Sequence, residues 1–222
     1  MVNLFPAVLI GGPPHAGKSV LFYQITQALR TRRIPHYAIR ACPDGEGDWF
    51  HEGDPETVSS IRRPTSEWPP EFVQRICEDL QHRCLPFLVD VGGCPKPSDM
   101  SLFRLCTRSI LLLRADRPAS AQLWQQMVEE SNLLPLARLS SQQAGDSVIT
   151  ALSPVLEGII TGLERHVPKA GDGPLFDELV ERIVALFDSY DLHDMKKIYL
   201  EQARTELVLD LEDAALRPFT TS

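Results

Sequence analysis

The 222-residue chain suits one domain of the larger kind, or one domain with an appendage, and its 43% hydrophobic content allows a full core. A net charge of −8 and a pI near 5.3 make a broad nucleic-acid footprint unlikely and leave room only for a local basic groove. Five cysteines (Cys42, Cys77, Cys84, Cys94 and Cys106) without a C-x-x-C spacing argue against a disulfide framework or a cysteine zinc site. A reducing cytoplasm fits this usage, and no signal peptide or membrane span is expected.

In chain order, Leu4–Ile10 is apolar, is bounded by Gly11-Gly12 and reads as a buried strand. Leu21, Ile25, Ala28 and Leu29 recur at helical spacing, which predicts a helix over Lys18–Thr31. His36–Ala41 reads as a second strand. The polar stretch Pro43–Pro70 that follows is long enough to suggest a functional loop. A helix is expected over Glu71–Arg83, an apolar strand over Pro86–Val91 and another over Ser109–Leu113. A helix over Ala119–Ser131 follows, with weaker strands at Leu134–Leu139 and Val155–Ile160. Strands alternating with helices imply an α/β fold, a parallel sheet sandwiched by helices, with ligands beyond the carboxyl ends of the strands. Gly12, Asp44, Asp90 and Asp116 would then lie along one edge.

Composition shifts near Lys169, so residues 1–169 are expected to form the nucleotide-binding domain and 170–222 an acidic helical C-terminal extension packed on it. Residues 171–222 hold twelve Asp or Glu against five Lys or Arg. Phe176, Leu179, Val180, Ile183, Val184 and Phe187 mark one amphipathic helix, and Met195, Tyr199, Ala203, Leu207 and Leu211 a second. These helices would either pack on the domain or offer a surface for a homo-oligomer or a protein partner.

Gly12-Pro13-Pro14-His15-Ala16-Gly17-Lys18-Ser19 matches G-x-x-x-x-G-K-[ST] without a departure. It follows a strand and opens a helix, as the chemistry requires: backbone amides turn inward to form an anion nest, and the helix N-terminus adds partial positive charge. Gly12 through Ser19, with Val20, are the expected nucleotide contacts. Lys18 would reach the β- and γ-phosphates, and Ser19 would ligate Mg2+. Phe87-Leu88-Val89-Asp90 reads as a Walker B strand whose Asp90 also holds Mg2+. Asp90-Val91-Gly92-Gly93 has the D-x-x-G spacing that brings the Gly93 amide toward the γ-phosphate. ATP with magnesium is the expected ligand.

Asp44-Gly45-Glu46-Gly47-Asp48-Trp49 places three carboxylates after the second strand. Asp44 and Glu46 are the candidate general bases, since a carboxylate there could accept the proton of an acceptor hydroxyl. Among the arginines, Arg40 and Arg114 end predicted strands and are candidates to clamp phosphate. Leu113-Arg114-Ala115-Asp116 lacks the lysine of the N-K-x-D pattern, which points away from guanine. His15 is read as a spacer.

At the level of these motifs, residues 4–165 resemble the P-loop NTPases. Gly11–Ser19 together with Pro43-Asp44-Gly45-Glu46-Gly47 resembles more narrowly the P-loop module, kinase-like or labelled AAA, fused to CRISPR-associated ring nucleases. That resemblance implies a link to cyclic oligoadenylate and the type III antiviral response. It carries over no nuclease activity, because the chain begins directly at the first P-loop strand. Two functions follow as expectations: a small kinase or NTPase acting by phosphoryl transfer, or a catalytically weak ATP-dependent regulatory sensor. A ring-forming AAA motor fits less well, since no convincing arginine motif follows Asp90 in an all-helical lid.

Overall fold

A computed structural model of the chain describes residues 5–42, 53–61, 70–93, 100–165, 167 and 172–189. The elements in chain order are β1 (Ala7–Gly11), α1 (Lys18–Thr31), β2 (Tyr37–Ala41), α2 (Pro55–Ile61), α3 (Pro70–Gln81), β3 (Phe87–Val91) and α4 (Met100–Leu105). They continue with β4 (Arg108–Leu113), α5 (Pro118–Glu130), β5 (Leu134–Gln142), β6 (Val148–Ala151), β7 (Leu156–Thr161) and α6 (Pro174–Asp188).

The strands form one sheet in the order β2-β3-β1-β4-β5-β7-β6. All neighbours are parallel except β6, which runs antiparallel to β7. β1 and β3, AVLIG and FLVDV, are buried at every position. Both faces of these central strands are covered, so apart from Asp90 the side chains of both alternating sets are apolar. Among the described residues pairing starts at Ala7. Pro6 has no amide proton, and its carbonyl accepts from the Phe87 amide at 2.9 Å.

Two hydrophobic layers sandwich the sheet. On one face Val8, Ile10, Leu88, Ile110 and Leu112 pack against Leu21, Phe22, Ile25 and Leu29 of α1 and against Leu175, Leu179, Ile183 and Phe187 of α6. On the other, Leu9, Val89 and Leu111 meet Ile76 and Leu80 of α3, Leu102 and Phe103 of α4, and Trp124 and Val128 of α5. The first of the two expected C-terminal helices therefore contributes side chains to the same core as β1 and α1.

Three elements were not anticipated. β6 is a four-residue edge strand, too short to show a periodicity, and it makes the sheet mixed. α2 and α4 have seven and six residues, less than two helical turns, and α2 lies inside the stretch read as polar loop. The second expected helix over Met195–Leu211 and the loop carrying Asp44, Glu46, Asp48 and Trp49 lie outside the described residues. Among the described residues, no helix is long and apolar enough to cross a membrane.

Candidate functional site

The six parallel strands present their carboxyl ends along one edge, where Gly12–Val20, Asp90 and Gly93 of the expected site residues lie, while Asp44 and Glu46 fall outside the described residues. Gly12–Gly17 links the end of β1 to α1. Gly12 has φ +146°, and a Cβ on it would stand 2.0 Å from the Leu112 carbonyl oxygen, so only glycine fits. His15 adopts the left-handed region at φ 61° and is exposed at the loop apex. Gly17, at φ 88°, is the N-cap of α1. That helix start has no side-chain cap and no acidic residue in its first turn. Its leading amides and positive dipole end are thus left to the loop, an arrangement suited to an anion.

Lys18 is the first residue of α1 and is only 7% exposed. Its ammonium donates to the Pro13 carbonyl at 2.9 Å, folding the side chain back along the loop it follows. Ser19, half-buried, is next, and Val20 turns into the core.

β3 lies directly beside β1, with Asp90 in register with Ile10. Ile10 belongs to the core layer on the α1 side, so Asp90 projects toward the helix that carries Ser19. Asp90 is 3% exposed. Its Oδ2 is 3.7 Å from Nη1 of Arg40, its register partner on β2. The Arg40 guanidinium in turn lies 5.1 Å from the centre of the Phe22 ring on α1. Arg40, read from sequence as a phosphate-clamp candidate, is thus placed against Asp90 and Phe22. The chain after β3 closes on the loop: a Cβ on Gly93 would stand 2.6 Å from the Pro14 nitrogen.

Asp90 and Ser19 supply a carboxylate and a hydroxyl, the hard oxygen donors that magnesium takes when phosphates and water complete its shell. The buried carboxylate on the sheet face that α1 covers fits that use.

At the other end of the loop, Arg114 follows β4. Its guanidinium donates to both carboxylate oxygens of Asp116, at 2.9 and 2.6 Å, and to the His15 carbonyl at 3.2 Å. The Arg114 hydrogen bond holds the Asp116 carboxyl below its usual range. A cavity of about 400 Å3 opens here, lined among others by His15, Arg114, Asp116, Ser141, Gln142 and Leu163. Ser141, Gln142 and Leu163 were not singled out from sequence. Leu163 sits over Gly17, whose hypothetical Cβ would be 2.7 Å from the leucine Cβ. Nothing local marks a contact spanning that much sequence.

Comparison with protein-family models and with curated protein sequences finds no match. Among solved structures, the chain is similar to a plasmid partition protein from Borrelia burgdorferi B31 bound to AMPPNP. The TM-score is 0.55 and the identity 11%, covering 82% of this chain and 99% of that one. It is also similar to the septum site-determining protein MinD complexed with Mg-ADP from Pyrococcus horikoshii OT3. There the TM-score is 0.53 and the identity 11%, over 81% of this chain and 96% of that one. At such identities the likeness is one of fold: the chain has the P-loop NTPase fold.

Proposed function

We propose that the chain binds ATP with magnesium through Gly12–Ser19 and acts by phosphoryl transfer, as a small kinase or an NTPase. The observation that carries this reading is the position of Asp90, buried on the strand beside β1 and on the face of α1, with Gly93 against Pro14. The nucleotides in the two similar structures, AMPPNP and Mg-ADP, support the ligand class.

In this mechanism the loop amides and the start of α1 hold the phosphates. Lys18 exchanges the Pro13 carbonyl for the β- and γ-phosphate oxygens. Ser19 and Asp90 would hold magnesium, which when bound would supply positive charge against that developing on the transferred group. An oxygen of water or of an acceptor hydroxyl attacks the γ-phosphorus as the bond to the β,γ-bridging oxygen breaks, and ADP leaves. Glu46, or Asp44, takes the proton of the attacking oxygen. Both belong to the segment that continues from β2, whose carboxyl end lies at the site edge.

The cavity between His15, Asp116 and Ser141 is the proposed seat of the base, and adenine is favoured. Guanine is read by a carboxylate that accepts from its N1–H and amino group, and Arg114 already engages both Asp116 oxygens. The narrower likeness to modules of CRISPR-associated ring nucleases is the sole support for placing this activity, or a sensor version of it, in an antiviral response. The acidic C-terminal helices expected over residues 170–222 are the proposed surface for a second copy or a protein partner.

Calorimetric titration with Mg-ATP, with phosphate release followed on the same preparation, tests the reading. Binding with turnover supports an enzyme, binding without turnover supports the sensor, and no binding contradicts both.

A further inference from the structure

The Arg40–Asp90 pair occupies the carboxylate that the proposed function gives to magnesium. Asp90 and Arg40 are opposite one another on adjoining parallel strands, on the face that α1 covers. β2 is an edge strand, yet the Arg40 side chain is only 11% exposed, because Phe22 of α1 lies beneath its guanidinium. Two opposite charges have thus been withdrawn from water together. Burying either alone would be costly, and the pair offsets that cost for both.

The contact itself is loose. Its 3.7 Å separation exceeds the ~2.7–2.9 Å of a tight charge-assisted hydrogen bond, so Arg40 offsets the carboxylate charge without closing on it. The seat of the guanidinium on the Phe22 ring holds its charge close. A divalent cation arriving at Asp90 therefore meets a resident cation. Magnesium is repelled unless negative charge comes with it, and the phosphates of a nucleotide bring that charge.

We infer that Arg40 is a positioning residue that keeps magnesium off Asp90 until a nucleotide occupies the loop, and so sets the magnesium concentration at which the nucleotide complex forms. The inference rests on the reading of Asp90 as the magnesium carboxylate. It gives β2 a part in the site that neither the loop motif nor the Asp90 strand implies.

The test titrates magnesium into the protein with ATP, read by thermal stability and by calorimetry, and measures ATP affinity in EDTA on the same samples. In Arg40→Gln the half-point for magnesium should fall about tenfold, the ratio that corresponds to ~1.4 kcal/mol. Affinity in EDTA should stay at the parent level, and Mg2+ without nucleotide should now bind. Arg40→Lys keeps the charge and should restore a half-point near the parent value. A general structural role would weaken ATP binding with and without magnesium alike.

Should Arg40→Gln fail to fold, Phe22→Leu, which keeps apolar bulk but removes the ring beneath the guanidinium, should still lower the half-point. An unchanged or higher half-point in Arg40→Gln, or in Phe22→Leu if that variant is the one read, overturns the inference. So does a parent protein whose ATP binding ignores magnesium. A parent that binds no ATP at all brings down the proposed function first, and this inference with it.

Discussion

Arg114 holds Asp116 by both carboxylate oxygens while its third contact, at 3.2 Å, reaches the His15 carbonyl at the apex of the Gly12–Gly17 loop. One side chain therefore ties the end of β4 to the loop after β1 and occupies the carboxylate that would otherwise face a base in the adjoining cavity.

Adenine should be preferred to guanine on this account. Competition between ATP and GTP for the same protein measures it, and a GTP preference above about tenfold reverses the assignment. Arg114→Ala releases Asp116 to accept from a guanine N1–H, so the disadvantage of GTP should shrink in that variant. An undiminished ATP preference in Arg114→Ala removes Asp116 from the recognition of the base.

The loop should tolerate no side chain at Gly12. A Cβ there would stand 2.0 Å from a backbone oxygen at a φ that non-glycine residues rarely adopt. Gly12→Ala is expected to lower stability by about 1–3 kcal/mol or more from strain alone, and to weaken ATP binding in parallel. Denaturant midpoints and titrations measure the two effects. Parent-like behaviour in both would show that the loop is not held as described.

Trp124 should be the costliest single truncation near the site. It is 1% exposed, packs against Phe103 at a centroid distance of 5.9 Å, and lies where a Cβ on Gly11 would come within 2.5 Å of its ring. Trp124→Ala should destabilise the fold by about 3–5 kcal/mol by opening a cavity under the end of β1. A loss below about 1 kcal/mol, little more than a surface substitution costs, would place the ring outside the core.

The loop Gly12–Gly17 between β1 and α1, the place of Asp90 on β3 and the alternation of strands and helices were legible because each has a local signature. The loop has fixed residue spacing, and β1, β3 and β4 are short apolar runs that end at glycine or a charge. α6 was legible from Phe176, Leu179, Val180, Ile183 and Phe187, whose spacing is that of its buried face. β6 was not, since four residues at a sheet edge carry no pattern of their own. Nor were the partners of the arginines. Arg40 meets Asp90 only because β2 and β3 are neighbours in register, and Arg114 meets His15 only because β4 flanks β1. Strand order is a long-range outcome of packing, and no window of sequence contains it.

Glu46 is expected to act as the base, since Asp90 pairs with Arg40 and is the proposed metal carboxylate. Glu46→Gln should lower turnover by about a hundredfold or more, the scale of losing a positioned base, with ATP affinity nearly unchanged. Steady-state turnover and binding on one preparation separate the two. Unchanged turnover in both Glu46→Gln and Asp44→Asn would leave the sensor as the better account.

The central claim, that Gly12–Ser19 binds the phosphates of a nucleoside triphosphate, is tested most directly by the thermal stabilisation that Mg-ATP confers on the parent and on Lys18→Ala. With ligand at a thousand times its dissociation constant the parent should gain about 4 kcal/mol. The variant, lacking the ammonium that now rests on the Pro13 carbonyl, should lose most of that gain while unfolding as a single transition without ligand. Equal stabilisation of parent and variant would contradict the claim.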